Sequence, residues 1–138
     1  MISKFRGDYL FLSNFFSCTV TYNGLNYASS EAAYQAQKTL NKSERFRISL
    51  MVNPHEAKEA GQKFDYRDDW EDVKLDEMYK ICTAKFSQNP DLAKLLLETG
   101  DEELVEGNYW NDTFWGVCNG VGENHLGKIL MRVRSELR

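Results

Sequence analysis

Ser29-Ser30-Glu31-Ala32-Ala33-Tyr34-Gln35-Ala36-Gln37-Lys38 reads as the opening of a helix. Ser29 or Ser30 supplies an N-cap, and Glu31 falls in the first turn, where the helix dipole favours an acid. Residues three, four and seven apart share a helical face. Glu31, Tyr34, Gln35 and Lys38 therefore line one side and present an acid, a phenol, an amide and an amine to one small molecule. An acid beside an amine suits proton transfer or imine chemistry. The same spacing also fits an exposed helix carrying an ordinary acid–lysine pair.

Upstream, Cys18-Thr19-Val20-Thr21-Tyr22 alternates, Asn23-Gly24 is a hairpin turn, and Leu25-Asn26-Tyr27 returns to the helix start. The first thirty residues read as extended. Downstream, Asn53-Pro54-His55-Glu56 opens a helix that Gly61 can close, and Asp68 or Asp69 caps another. Trp70, Val73, Leu75, Met78, Ile81, Cys82 and Phe86 define the buried face of that second helix. Asn89-Pro90 starts a helix carrying Leu92, Leu95 and Leu96 and ended by Gly100, and Leu104-Val105-Glu106 reads as a strand. The last helix begins near Asn124, with Leu126, Ile129, Leu130, Val133 and Leu137 as its apolar stripe. Many helices and a few short strands predict an α+β fold, a single helix-rich domain over residues 1–138.

The chain has 138 residues and a net charge of −4. That size supports a core without metal or disulfides, and the acidity argues against a surface dedicated to coating DNA or RNA. Cys18, Cys82 and Cys118 are widely separated and form no Cys-x-x-Cys pair, which argues against zinc. The N-terminus lacks the apolar core of a signal peptide and no run is long enough to span a bilayer, so cytoplasmic residence with no membrane association is expected.

Two further segments are candidates for a binding role. Asp112-Thr113-Phe114-Trp115-Gly116 places a carboxylate before aromatics and a glycine, as in a pocket rim. Gly120 through Gly127 sets glycines ahead of a helix that includes Asn124, and unpaired amides there suit a phosphate, while a tight turn at a helix contact explains the same residues equally well. Trp70 and Trp115 are flat aromatics able to stack on a base or to fill core. Trp110 reads as structural. Arg6 and Lys85 offer further positive charge for a phosphorylated ligand.

The motifs together resemble one family. Phe5-Arg6-Gly7 and Phe11-Leu12-Ser13-Asn14-Phe15, the Gly24–Lys38 stretch, and Trp70 with Lys74 and Met78 agree with it in order. So do Lys85-Phe86 with Gln88-Asn89, Leu96 through Gly100, Leu104-Val105-Glu106, Asp112 through Gly116, and Gly122 through Met131. The chain resembles the NADAR family, the YbiA-like N-glycosidases, over nearly its whole length.

The resemblance implies a hydrolase acting on N-glycosidic bonds, with no cofactor and no metal. The expected substrate is a small phosphorylated ribosyl compound, a ribosylaminopyrimidine phosphate of riboflavin biosynthesis. The alternatives are ADP-ribosylated guanine in nucleic acid, which would make the chain an antitoxin-like glycohydrolase, and a non-catalytic module that binds NAD or ADP-ribose. The resemblance implies Glu31, Lys38 and Asp112 as catalytic residues. It implies Asn14, Tyr34, Gln35, Trp70, Trp115, Gly116 and Asn124 as substrate-binding residues. Attack by Lys38 on an open-chain imine and direct hydrolysis through an oxocarbenium-like state are both compatible with that set.

Overall fold

A computed structural model describes all residues, 1–138. Six α-helices, one 3-10 helix and two two-stranded sheets make the helix-rich α+β fold that the sequence predicts. The chain forms two compact units, one of Asn14–Asn89 and one of Met1–Ser13 with Pro90–Arg138.

In the Asn14–Asn89 unit, β1 (Val20–Tyr22) and β2 (Leu25–Tyr27) pair antiparallel. Asn23 and Gly24 both take positive φ, 48° and 84°, the geometry of the expected Asn-Gly turn. Ser29 then caps α1 (Ser30–Ala36) by accepting the Ala32 amide at 3.1 Å. Helix α1 packs against α2 (Lys42–Ser49), α3 (Pro54–Gln62) and α4 (Trp70–Gln88). All seven of its residues are buried. Ala32, Ala33 and Ala36 let its neighbours approach closely. Asn53 caps α3 and Pro54 sits in its first turn, as predicted.

In the same unit, Gln88 at the end of α4 accepts the Thr21 amide at 2.7 Å and donates to the Thr21 carbonyl at 2.8 Å. Its amide thereby stands in for a neighbouring strand at the open edge of β1. Asn89 donates to the Thr19 carbonyl at 3.0 Å, which gives the Gln88-Asn89 motif a structural task.

In the other unit, Ile2 bridges Leu104 in parallel, and β3 (Gly107–Asn108) pairs with β4 (Val117–Cys118). Helices α5 (Pro90–Glu98) and α6 (His125–Leu137) pack on each other, and Leu92, Leu96, Leu126, Leu130 and Val133 are among their buried residues. The buried Arg134 guanidinium donates to Thr99 Oγ1 at 2.9 Å.

Four sequence expectations change. Residues Gly7–Leu12 are a 3-10 helix within the stretch expected to be extended. The paired strand is Gly107–Asn108, and within Leu104-Val105-Glu106 only Leu104 forms a bridge. Helix α2 was not anticipated, because Ile48 is its only buried residue and no apolar stripe marks it; the Asn41 cap, accepting from the Glu44 amide, fixes its start. Leu75 and Leu95, expected in apolar faces, are each 40% exposed.

Candidate active site

Helix α1 is short, buried on every side and unusually polar for such a position. A helix buried all round is normally apolar, since a buried polar group without partners is costly. Glu31 and Lys38 are each only 7% exposed and Gln35 only 2%, so the exposed acid–lysine pair does not describe this helix. The helix also ends earlier than the spacing suggests. Gln37 and Lys38 donate their amides to the Tyr34 and Gln35 carbonyls at 3.1 and 3.2 Å, a tightened 3-10 turn. Lys38 therefore lies just beyond the Gln37 C-cap rather than within the helical stripe.

Three of the predicted residues, Asn14, Glu31 and Gln35, are tied together at the start of α1. The Asn14 carbonyl accepts the Glu31 amide at 2.9 Å, the Asn14 side-chain oxygen accepts the Ser30 hydroxyl at 3.0 Å, and Asn14 Nδ2 reaches the Met78 sulfur at 3.5 Å. Asn14 thus anchors the backbone that carries the acid. One turn on, Gln35 Nε2 donates to Glu31 Oε1 at 3.3 Å. Gln35 Oε1 is buried with no protein donor and lies against Gly61, where a Cβ would come within 2.1 Å of it. Only glycine on α3 leaves room for this amide to hold the acid.

The amine sits among aromatic rings. Lys38 Nζ lies 3.2 Å from the Tyr66 hydroxyl, 5.0 Å from the centre of the Tyr66 ring and 5.5 Å from that of Tyr34. Trp70 extends the wall, its ring 5.3 Å from Tyr34 and 6.5 Å from Tyr66. The Arg67 amide donates to the Lys38 carbonyl at 2.7 Å, which pins the Tyr66 loop beside the amine. Tyr66 was missed from sequence. Its signal is an aromatic in a polar loop, four residues before a helix-opening tryptophan.

Asp112, Trp115, Gly116 and Asn124 fall in the other unit. Asp112 Oδ1 accepts the Phe114 and Trp115 amides at 3.2 and 2.9 Å and so shapes the turn. The carbonyls of the next four residues then meet the start of α6. Thr113 O accepts from Glu123 N–H at 2.8 Å, Phe114 O from His125 at 3.2 Å, Trp115 O from Leu126 at 3.0 Å and Gly116 O from Asn124 at 3.3 Å. The amides read from sequence as a possible phosphate site are therefore occupied by the chain itself.

The Asn124 side chain is equally committed: Oδ1 accepts the Glu106 amide and Nδ2 donates to the Leu104 carbonyl, each at 2.9 Å. A Cβ on Gly116 would meet Glu106 at about 2 Å, which accounts for that glycine. Trp115 lies edge-on to Phe114 at 4.8 Å and to His125 at 6.5 Å.

Of the two cations offered by the sequence, Arg6 is exposed, whereas Lys85 is only 1% exposed between the Phe16 and Phe86 rings. Burial holds the Lys85 ammonium below the ordinary lysine range. The same burial raises the Cys82 thiol to about 12. No group of three or more histidine, cysteine, aspartate or glutamate side chains is placed to hold a metal, and no helix is long and apolar enough to cross a membrane.

The model of the NADAR domain family matches residues 3–138 in one piece. The chain is 38% identical over 133 residues to the N-glycosidase YbiA of Escherichia coli K12, covering 94% of this chain and 82% of that protein. It is 42% identical over 137 residues to the riboflavin biosynthesis protein VVA0006 of Vibrio vulnificus, covering 93% of this chain but only 35% of that longer protein. The NMR structure of E. coli YbiA superposes with a TM-score of 0.88 at 36% identity, covering 99% of this chain and 84% of the other. This chain belongs to the NADAR domain family.

Proposed function

We propose that the chain is an N-glycosidase that cleaves the bond between ribose C1 and an exocyclic base nitrogen in ribosylaminopyrimidine phosphates. One observation carries this reading: a buried acid and a buried amine on one short helix and its terminal turn, the amine faced by Tyr34 and Tyr66 instead of a carboxylate. A scaffold has little use for such a pair, because each buried charge costs free energy unless well paired. The relatives named as N-glycosidases and as riboflavin biosynthesis proteins support the reaction class and the substrate class.

In the proposed reaction the exocyclic nitrogen lone pair expels the ring oxygen, which takes a proton and leaves C1 as an open-chain imine. Lys38, as the free amine, adds to C1. Proton transfer to the exocyclic nitrogen and loss of the base as an amine then leave a Schiff base on Lys38. Water hydrolyses that imine to the free ribose phosphate and returns the lysine. Glu31, held by Gln35 and by the anchored backbone at Asn14, moves the protons. Tyr66 orients the amine, and Tyr34 with Trp70 provides a flat wall for the base or sugar. Asp112 and Asn124 hold in place the loop and the helix start of their own unit.

The test is a mass-spectrometric assay offering ribosylaminopyrimidine phosphates, an ADP-ribosylated guanine oligonucleotide and free ADP-ribose to the wild type and to Glu31→Gln. Release of base and ribose phosphate by the wild type, falling about 10²- to 10⁴-fold in the variant, is the expected result. Release from the oligonucleotide alone would replace the metabolite by ADP-ribosylated guanine as substrate. Tight ADP-ribose binding with no turnover of anything offered would reduce the chain to a binding module.

A further inference from the structure

Trp110 does not pack as the structural tryptophan expected from sequence. It is 45% exposed, and its neighbour Tyr109 is 79% exposed. Two large aromatics side by side in water bury little and contribute little to stability. Their loop is nevertheless fixed at its base. The Asn108 side chain donates to the Asp112 carbonyl at 2.9 Å and accepts the Asp112 amide at 3.1 Å, closing residues 108–112 into a loop whose tip carries both rings. Asn111 completes the turn with φ of 65°, and the Cys118 thiol points to its side-chain oxygen at 3.7 Å. The rings meet edge to face at 5.0 Å.

The exposed Arg6 guanidinium lies over both rings, 5.7 Å from the centre of Tyr109 and 5.9 Å from that of Trp110, and forms no ion pair. In a chain of net charge −4, a cation left without a carboxylate partner and stacked on two presented rings is suited to an anion attached to a flat aromatic group. We propose that Arg6, Tyr109 and Trp110 form a platform for a phosphorylated nucleoside, the base stacking on the rings and the phosphate pairing with the guanidinium. Arg6, Tyr109 and Trp110 are not among the residues assigned to catalysis, and Asp112 enters the loop only through its backbone, so the platform stands or falls independently of the glycosidase reading.

The probes are 5′-AMP and a short single-stranded oligodeoxyadenylate, added to the ¹⁵N-labelled full chain while the indole N–H resonances are followed. Trp110→Phe assigns its own resonance, and matching thermal unfolding checks that Arg6→Gln remains folded. The expected result is a saturable shift of the Trp110 indole, with binding weakened about tenfold by Arg6→Gln, equivalent to one lost stacking or charge-assisted contact. A shift with both probes makes the occupant a nucleotide, and a shift with the oligonucleotide alone makes it a nucleotide within a strand; both support the platform. A Trp110 resonance unmoved by either probe at millimolar concentration, or equal binding by Arg6→Gln, would overturn it.

Discussion

Helices α1 and α6 both follow a motif rich in polar and small residues, and they use it in opposite ways. At α6 the loop carbonyls of residues 113–116 take the amides of residues 123–126, and both ends of the Asn124 amide bond to backbone. Hydrogen-bonding capacity there is spent on joining loop, strand and helix. At α1 Ser29 and Gln37 also bond to backbone, but Gln35 and Lys38 bond to other side chains, Gln35 to Glu31 and Lys38 to Tyr66. One buried acceptor, Gln35 Oε1, has no protein donor at all. A buried polar group absorbed by backbone stabilises the fold, whereas an unsatisfied acceptor such as Gln35 Oε1 calls for a partner that the protein side chains do not supply.

The sharpest way to break that contrast is to remove one member from each side. Lys38→Ala is expected to lower turnover by about 10³-fold or more while unfolding at a similar or higher temperature, because the amine lost is buried without a carboxylate partner. Parallel measurement of kcat and of thermal unfolding checks both halves. Asn124→Ala is expected to behave in reverse. It leaves the Glu106 amide and the Leu104 carbonyl without their partner and should cost about 2–4 kcal/mol of stability, read by urea unfolding. An Asn124→Ala protein of unchanged stability would mean that the α6 group is not scaffolding.

A smaller effect sharpens the role of the residue missed from sequence. Tyr66→Phe keeps the ring beside Lys38 but removes the hydroxyl at 3.2 Å. With Lys38 as the proposed nucleophile, the expected change is a loss of about tenfold in kcat with KM nearly constant, the value of one hydrogen bond to its amine. A change in KM alone would place Tyr66 against the substrate instead.

The smallest effect concerns pH. The folded chain holds Lys85 below the ordinary value of 10.5 because the residue is buried. Between that lowered value and 10.5 the unfolded chain keeps the proton and the folded chain does not, so this residue makes stability rise with pH. The raised Cys82, Tyr22 and Tyr27 groups act in the other direction, since the unfolded chain loses those protons first. Subtracting the unfolding free energy of Lys85→Met from that of the wild type largely removes their contribution. The difference is expected to climb as pH rises and to level off near 10.5, as chemical denaturation across the alkaline range would show.

Much of the fold was legible because local signals and tertiary packing agree. The Asn23-Gly24 turn, the Ser29 cap and the Asn53-Pro54 helix start sit where their chemistry places them. Helix α2 was illegible because it is held by a cap and one buried isoleucine, with no apolar period to find. The grouping of Glu31, Gln35 and Asn14 could be read from spacing and motif order. The burial of Lys38 beyond the end of α1, and its partner Tyr66, could not: both depend on a tightened turn and on a loop that returns from 28 residues away. The glycine-led start of α6 misleads for a related reason, since a sequence shows that amides are present but not that distant carbonyls already hold them.

The most direct test is borohydride trapping during turnover of a ribosylaminopyrimidine phosphate, followed by peptide mass mapping. Lys38 as nucleophile predicts a reduced sugar-phosphate adduct on the peptide containing that residue in the wild type, and none in Lys38→Arg. Full turnover with no adduct on Lys38 would contradict the account and assign the reaction to water acting directly at C1.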